Sequence, residues 1–307
     1  MESLNGTALD LVDEAIDFAD ELGVAVHNLG NDAVVIDFGV DAEGGIEAGL
    51  LLSEIVTGGL ATVQTRLGTV AGTPLTHVEL ATDHPRLALL RSAMADWQPA
   101  LTDAVGSGPA RLLAENGTHE ADHEESFDFA VLALETDVLP GEPAAEDVAS
   151  RCDVPTSGVF VPAVSLGSVA GAVSVAARAA EVAVFRLAHL GYDTSRIVSA
   201  TGSAPVPPVA GDRETALVRA NDAIAHGGRV NLVVEEAFDR AGEVPFGATD
   251  FGGASMERAF ADAGWDLHEV PESAFAPAEV TIDVRGGTTR HVGERDEDRL
   301  ATVLGLS

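Results

Sequence analysis

An arginine and a glutamate interrupt an apolar segment, and this pair is the strongest candidate for chemistry in the chain. Residues 174–184 read SVAARAAEVAV, so Arg178 and Glu181 stand three apart among alanine and valine. Residues three apart share one face of a helix, and a helix that is apolar all round is normally buried. The pattern therefore predicts a guanidinium and a carboxylate side by side on a largely buried helix.

The pair has a structural and a functional interpretation. A simple intrahelical ion pair would explain the spacing of Arg178 and Glu181. However, leaving either charge alone in a dry core costs about 3–5 kcal/mol, so the apolar surroundings favour a position on the wall of a cleft. There the arginine favours the ionised carboxylate while burial disfavours it, and such opposing effects are typical of functional sites.

The charge of the chain restricts its partners. Seventeen basic residues, all of them arginine, face fifty acidic ones, which gives a formal net charge of −33. Self-repulsion of this size is tolerable when salt screens it, because the Debye length falls to about 3 Å at 1 M ionic strength. The composition predicts the salt-rich cytoplasm of a halophilic archaeon. It also disfavours nucleic acid as a partner, since the phosphates would be repelled.

Missing residue types exclude further mechanisms. Without lysine, the chain has neither a P-loop lysine nor a Schiff base with pyridoxal phosphate. The single cysteine, Cys152, excludes an internal disulfide and a four-cysteine zinc site. The acidic N-terminal segment differs from a signal peptide, and the uncharged stretch 154–177 is rich in small residues and interrupted by prolines. We therefore expect a cytoplasmic protein without a membrane span, with a buried strand and helix over 154–177.

The spacing of apolar residues predicts an α/β protein that begins with an α+β part. A helix is expected over residues 7–22, ended by Gly23. The following segments predict two strands, a helix between paired glycines and two further strands, at 24–29, 33–40, 44–59, 60–68 and 75–81.

Beyond an acidic, polar segment at 115–126, strand and helix patterns alternate. This order predicts a layered α/β sheet, whose ligand sites tend to lie at the C-terminal ends of the strands. We therefore expect an N-terminal α+β lobe over residues 1–120 and an α/β lobe over residues 121–307, arranged around a cleft as one functional unit. The boundary is not fixed by the sequence, and interleaved lobes are an alternative.

One short motif suggests a metal site. HEADH at 119–123 matches the zinc-hydrolase pattern, with His119 and His123 as ligands and Glu120 as the base that activates water. The motif follows Asn116-Gly117 and stands among further acids, which favours a solvated loop. A zinc hydrolase is therefore the weaker alternative.

A glycine turn offers a possible anion site. GSGPAR at 106–111 lacks the third glycine of a dinucleotide-binding loop. It could still present backbone N–H groups to an anion, with Arg111 alongside. An ordinary glycine turn explains the motif equally well.

Eight segments taken together are more specific than any one of them. Between about residue 44 and residue 282 the chain contains, in order, GGIEAGLLLSEI, GGLATV, TDHP, GSGPAR, ARAAE, TGSAPVPPV, RANDAIAHGG and FAPAEVTI. This set resembles the methenyltetrahydromethanopterin cyclohydrolase family. The resemblance implies reversible hydrolysis of the methenyl bridge of a reduced pterin carrier to a formyl group. It also implies no metal or nucleotide cofactor, a two-lobed α/β fold and a homotrimer.

The resemblance also assigns residues. It places the chemistry on Arg178 and Glu181, with glutamate as general base and acid and arginine orienting it. The chain departs from the family pattern at Ser174, Ser203 and Val218, which puts the pterin contacts in doubt. Candidate substrate-binding residues are Ser107, Gly108, Arg111, Ser174, Arg219, Asn221 and Asp222.

Two questions stay open at this stage. The carrier could be tetrahydromethanopterin or tetrahydrofolate, and the direction of the reaction in the cell is not encoded in the motifs. A catalytically idle pterin-binding relative remains an alternative. Either carrier has anionic groups in its tail, so arginines have to offset the field of a chain with net charge −33.

The acidic composition generates a prediction about salt. Dialysis from molar KCl into millimolar buffer removes the screening between acidic faces, so the chain is expected to lose helical structure and its melting transition. Circular dichroism during the dialysis measures this loss. Full retention of structure at low salt would contradict the halophile interpretation.

Overall fold

Two β-sheets and the helices packed on them make up the described part of the chain. The structure is a computed structural model that describes residues 2–99, 104–114, 123 and 125–306. The α/β fold class expected from the sequence is confirmed.

The α-helices of the described residues are α1 Leu4–Asp17, α2 Ala19–Leu22, α3 Ile46–Val56, α4 Ala110–Ala114, α5 Glu142–Cys152, α6 Val169–Ala176, α7 Ala179–His189, α8 Arg213–Gly227, α9 Met256–Asp262 and α10 Glu297–Leu304. The strands are β1 Ala25–Asn28, β2 Val34–Asp37, β3 Thr62–Val70, β4 Thr73–Thr82, β5 Val105–Ser107, β6 Ala130–Val131, β7 Ala133–Glu135, β8 Val159–Val164, β9 Ile197–Pro205, β10 Arg229–Val234, β11 Glu279–Val284 and β12 Thr289–Gly293. A π-helix spans Arg86–Ala93. Short 3₁₀ turns occur at Thr156–Gly158, Thr194–Arg196, Asp239–Glu243, Phe246–Ala248, Leu267–Glu269 and Glu272–Ala274.

The chain forms two compact units that interleave along the sequence. The first unit contains Met1–Thr62 and Leu87–Ser174, and the second contains Val63–Arg86 and Val175–Ser307. The units therefore do not coincide with the expected lobes, residues 1–120 and 121–307. The reason is strand pairing: β4 of the early hairpin pairs antiparallel with β9, which lies more than a hundred residues later. The hairpin thus belongs with the C-terminal half.

The first unit has helices on both faces of its sheet. The strand order is β1-β2-β8-β7-β5, with β6 also paired to β8, and β2, β8 and β7 run parallel. Val35, Val161 and Leu134 pack on one face against α5. Ile36 and Val131 point to the other face, against α1 and α3. Alternate side chains of the strands thus serve two cores, which is the layered arrangement expected for a largely parallel sheet.

The second unit is built on a mixed sheet with the order β12-β11-β10-β9-β4-β3. Only β10 and β11 run parallel among the pairs that have a described register. The strands alternate between buried apolar and more exposed polar residues, as in β10, where Val230 and Leu232 are buried and Asn231 is exposed. One face therefore carries the helices, and the other is polar.

Several expected elements have different ends in the structure. The helix expected at 7–22 is divided at Phe18 into α1 and α2, and Gly23 ends α2 in a left-handed conformation with φ 66°. The uncharged stretch 154–177 forms β8 and α6, as expected. None of the helices in the described residues has the length and hydropathy needed to cross a membrane. Most of the segment 115–126 lies outside the described residues.

Glu125 holds the N-terminus of α1 through a buried carboxylate. It accepts hydrogen bonds from the Ser3 hydroxyl at 2.5 Å, the Asn5 backbone N–H at 3.0 Å and the His123 ring at 2.6 Å. Burial raises the pKa of Glu125, but the hydrogen bonds from Ser3, His123 and Asn5 together outweigh it, so its pKa lies below the ordinary value. This contribution to stability is present above the unfolded-state pKa and is lost as the pH falls through the lower folded-state value.

We expect Glu125→Gln to lower the free energy of unfolding by about 2 kcal/mol near neutral pH, because the charge-assisted bonds are lost. As the pH falls through the lowered folded-state pKa of Glu125, the variant and the parent chain should converge in stability. Denaturant titrations over this pH range, at constant high salt, measure both effects. The matched control is Glu14→Gln, at an exposed position of α1. Equal stability of the two variants would argue against the capping role of Glu125.

Candidate functional site

Arg178 and Glu181 lie at a junction between two helices, which differs from the single helix expected. α6 ends at Ala176, and Arg178 is the N-cap residue of α7, with φ −81° and ψ 2°. The Arg178 N–H donates to the Val175 carbonyl, three residues back, at 3.0 Å, so the chain tightens into a turn before α7 begins. Glu181 therefore occupies the first turn of a helix and not the middle of one.

The two side chains form a bidentate ion pair. Arg178 Nε donates to Glu181 Oε2 at 3.0 Å, and Arg178 Nη2 donates to Oε1 at 2.5 Å. The two hydrogen bonds fix the plane of the carboxylate.

Burial of the pair is asymmetric. The Glu181 side chain is 7% exposed and the Arg178 side chain is 22% exposed, so the carboxylate is the buried partner. The neighbouring Ala177, Ala179 and Ala180 are buried as well. Glu181 also lies near the N-terminus of α7, where the helix dipole favours negative charge. The site thus presents one carboxylate, oriented by one arginine, in apolar surroundings.

Gly202 in β9 positions the start of α7. A Cβ atom on Gly202 would lie 2.4 Å from the Ala180 backbone N and 2.8 Å from the Ala180 Cβ. Only glycine leaves room for the first turn of α7 to lie directly on the strand. The segment TGSAPVPPV and the segment ARAAE are therefore in contact at Gly202.

The glycine turn of the first unit contains Ser107, Gly108 and Arg111. Ser107 ends β5. Gly108 has φ 129°, and a Cβ atom at this position would lie 3.0 Å from the Val131 carbonyl oxygen, so a side chain fits poorly there. Arg111 is 5% exposed, so its guanidinium is buried in the protein.

The Arg111 guanidinium binds the end of the π-helix. Nη1 donates to the carbonyls of Leu90 at 2.9 Å and Arg91 at 2.6 Å, and Nη2 donates to Asp96 Oδ2 at 2.7 Å. These bonds give Arg111 a structural role. The substrate contact expected for Arg111 stays a prediction, as do those of Ser107 and Gly108.

The remaining candidates make mostly local contacts. The Ser174 hydroxyl donates to the Gly171 carbonyl at 3.0 Å, and the Asn221 amide donates to the Leu217 carbonyl at 2.9 Å. Asp222 is fully buried and accepts bonds from the Ser255 hydroxyl at 2.6 Å and the Met256 N–H at 2.8 Å. Asp222 thus anchors the N-terminus of α9, and its substrate contact remains untested.

Arg219 has fewer contacts than Arg111. Its Nη1 donates to the Pro208 carbonyl at 3.4 Å, and its buried Nε has no hydrogen-bond partner among the described residues. The guanidinium therefore keeps donors that a ligand could use.

Comparison with known proteins places the chain in a family. Residues 3–304 match the family described as Cyclohydrolase (MCH). The chain belongs to this cyclohydrolase family. It is 49% identical, over the whole of both chains, to a protein of Halobacterium salinarum named methenyltetrahydromethanopterin cyclohydrolase. Proteins with the same name from Methanocella arvoryzae (38% identical, 97% of this chain and 96% of that one) and Methanosphaerula palustris (36% identical, the whole of both) are also similar.

Membership of the cyclohydrolase family confirms the resemblance inferred from the sequence motifs and the expectation of a hydrolase. The relative from Halobacterium salinarum also fits the expectation of a salt-loving archaeal source. The order of motifs over most of the chain was the signal that identified the cyclohydrolase family.

The zinc alternative gains no support in the described part of this cyclohydrolase. His119 and Glu120 lie outside the described residues, and His123 bonds Glu125 at 2.6 Å. Among the described residues no group of three or more His, Cys, Asp or Glu side chains is placed to hold a metal ion.

Sequence reasoning missed Asp37, which organises a loop of the cyclohydrolase at the C-terminal end of β2. Its carboxylate is fully buried and accepts backbone N–H groups of Gly39, Val40, Asp41 and Ala42 at 2.6–2.9 Å. Burial raises the pKa of Asp37, but these bonds outweigh it and leave the pKa below the ordinary value. An acid that directly ends the buried strand VVID was the available signal.

The contacts of the two arginines predict different effects of their removal. We expect Arg111→Ala to lower the free energy of unfolding by about 2–3 kcal/mol, because the π-helix carbonyls lose a charged donor. We expect Arg219→Ala to raise KM more than it lowers kcat, as when uniform substrate binding is lost, with little change in Tm.

Thermal unfolding and steady-state kinetics on both variants, at the same salt, separate these effects. A raised KM with an unchanged Tm in Arg111→Ala would argue against its structural role. An unchanged KM in Arg219→Ala would remove it from the substrate site.

Proposed function

We propose that the chain catalyses the reversible hydrolysis of the methenyl bridge of a tetrahydropterin one-carbon carrier to the formyl form. The observation that carries the proposal is the bidentate pair of Arg178 with the buried carboxylate of Glu181. Family membership and the names of the relatives support the reaction class.

The substrate needs little activation. The methenyl carbon lies between two nitrogens as a cationic amidinium, so it is already electrophilic. A water molecule held near it and a group that accepts the water's proton are enough to start the reaction. The proposed reaction therefore requires no metal ion, and the EDTA measurement described below tests this requirement.

Glu181 acts as general base and then as general acid. It accepts a proton as the water oxygen bonds to the methenyl carbon, giving a neutral tetrahedral adduct. It then returns that proton to the departing nitrogen, so that the carbon–nitrogen bond breaks. The adduct's remaining hydroxyl proton leaves as the formyl carbonyl forms, and one proton is released overall. Such proton transfers typically contribute about 10²–10⁴-fold to the rate.

Arg178 orients the carboxylate. Its two hydrogen bonds fix both oxygens of Glu181. The reacting centre is cationic in the methenyl form and neutral in the formyl form. A carboxylate held close to the reacting carbon therefore also stabilises the cationic methenyl form.

The carrier is proposed to be tetrahydromethanopterin, the pterin in the names of the relatives. Tetrahydrofolate presents the same kind of bridge to Glu181, so the catalytic pair does not discriminate between the two carriers. The difference lies in the tails, for which Arg219 is our candidate contact. The homotrimer and the cytoplasmic location remain predictions.

We expect Glu181→Gln to keep the fold and to lower kcat per folded molecule by about 10²–10⁴-fold, because an isosteric amide cannot accept the proton. The measurement is the loss of methenyl-pterin absorbance at high salt, with methenyl-tetrahydromethanopterin and methenyl-tetrahydrofolate compared side by side. EDTA should leave the activity unchanged.

The chain contains a matched control for this test. Arg240 and Glu243 form a bidentate pair with the same i,i+3 spacing, at 2.9 and 2.7 Å, but both side chains are half exposed. Glu243→Gln should therefore keep full activity. Near-normal turnover of Glu181→Gln would refute its assigned role, inactivation by EDTA would favour the zinc hydrolase, and binding without turnover in the parent chain would favour an idle relative.

A further inference from the structure

The polar face of the second unit's sheet lies opposite the Arg178–Glu181 pair. Gly202 faces Ala180 of α7, so its neighbours in β9, Thr201 and Ser203, point to the other face because side chains alternate along a strand. Thr201 and its register partner Asn231 in β10 are exposed there. This polar face is therefore separate from the proposed catalytic site.

One row of this face places an arginine among acidic and hydroxyl side chains. Glu79 in β4, Ser203 in β9, Arg229 in β10 and Glu279 in β11 are successive register partners. Residues that pair directly across strands project from the same face. The row thus sets Arg229 between a hydroxyl on one side and a carboxylate on the other.

The two glutamates of the row already have arginine partners. Glu79 forms an ion pair with Arg66, whose Nη2 also lies 3.4 Å from the Ser203 hydroxyl. Glu279 lies 3.8 Å from Arg295 Nε, and Arg295 also pairs with Glu297 at 2.8 Å. Both glutamates of the row therefore pair with other arginines and not with Arg229.

The Arg229 side chain makes no hydrogen bond or ion pair within the part of the chain that the structure describes. This is unexpected for a partly buried arginine in a chain where acids outnumber arginines fifty to seventeen. A buried or half-buried charge normally has a partner. A guanidinium with five N–H donors is left available at the centre of the row.

The arginines near Arg229 act on it more strongly than the two glutamates do. Burial lowers the pKa of Arg229, and Arg66 and Arg295 lower it further, whereas the raising effects of Glu279 and Glu79 are smaller. His77, on the same face of β4 as Glu79, is 4% exposed and responds to the same charges. Burial lowers the pKa of His77 most, its hydrogen bond with the Leu75 carbonyl raises it, and Arg66, Arg229 and Arg295 lower it further.

We propose that Arg229 is the centre of a binding site for a small oxyanion, a phosphate or carboxylate group, on the face of the sheet opposite the catalytic pair. The planar guanidinium of Arg229 matches two oxygens of such a group. The Ser203 hydroxyl and the guanidinium of Arg66 lie in the same region and add donors. A bound oxyanion would give the Arg229 side chain the partner that it lacks among the described residues.

Inorganic phosphate is the probe, added to the full chain in place of chloride at constant ionic strength in molar potassium salt. Phosphate raises Tm of proteins in general without saturation, so the site is measured by the saturable part of the rise. In parallel, NMR on chain with labelled histidines follows the ring of His77, assigned with His77→Gln. We expect a saturable rise in Tm and an upward shift of the His77 pKa, because the anion offsets the arginines.

Arg229→Gln is expected to lose both responses and to keep normal turnover. Arg229→Lys keeps the charge but not the paired N–H donors of the planar guanidinium, so it should bind phosphate more weakly than the parent chain. Arg258→Gln is the matched control, since Arg258 is an exposed arginine that faces Asp262 on α9, and it should retain both responses. A parent chain without a saturable response overturns the proposal, as does an Arg229→Gln variant that responds like the parent.

A third outcome identifies a different occupant. If phosphate has no effect, while the His77 pKa changes with protein concentration and Arg229→Gln lowers the mass of the assembly, the partner of Arg229 is a carboxylate of a second copy of the chain. That result overturns the free-anion site. Because turnover is measured separately, failure of this proposal is distinguishable from failure of the proposed reaction.

Discussion

The close approach of α7 to β9 at Gly202 is the constraint on which the candidate site depends. Without a side chain at this position, the first turn of α7 lies directly on the strand, and Ala180 occupies the space that a Cβ would need. Arg178 and Glu181 flank that contact, so the strand fixes where the pair stands. Because side chains alternate between the two faces of a strand, Ser203, the next residue of β9, points to the opposite face. One glycine therefore separates a buried carboxylate on one side of the sheet from the row that contains Arg229 on the other.

Burial, and not pairing geometry, distinguishes Arg178–Glu181 within this chain. Arg240–Glu243 has the same spacing and a similar bidentate contact, yet both of its side chains are half exposed. Water and salt screen an exposed pair, and such pairs contribute little. At Glu181, apolar neighbours exclude most of the solvent, so the orientation imposed by Arg178 persists at the high ionic strength that so acidic a chain requires.

Much of the fold follows from local patterns in the sequence, and the rest depends on long-range pairing. Period-two and period-3.6 patterns predicted most strands and helices, and Gly23 ended its helix as expected. Nothing local shows that β4 pairs with β9, which assigns the early hairpin to the second unit. The turn at Ala177–Arg178 was also missed, because alanine-rich sequence favours a continuous helix and no glycine or proline marks the break. The apolar setting of Arg178 and Glu181 predicted a largely buried ion pair, and the structure contains one. The hydrogen bonds of Arg111 to carbonyls 20 and 21 residues earlier could not be predicted from local sequence.

The interleaving of the two units has a consequence for synthesis on the ribosome. Residues 1–174 contain every strand of the first sheet, so that sheet can be completed while the C-terminal part is still unmade. The β3–β4 hairpin emerges in the middle of this process, but β9, the strand that pairs with its open edge, is translated more than a hundred residues later. During that interval β4 is an unpaired edge on a nascent chain. The ion-pair partner of its carboxylate, Glu79, is Arg66 of the same hairpin, so this pair does not depend on β9.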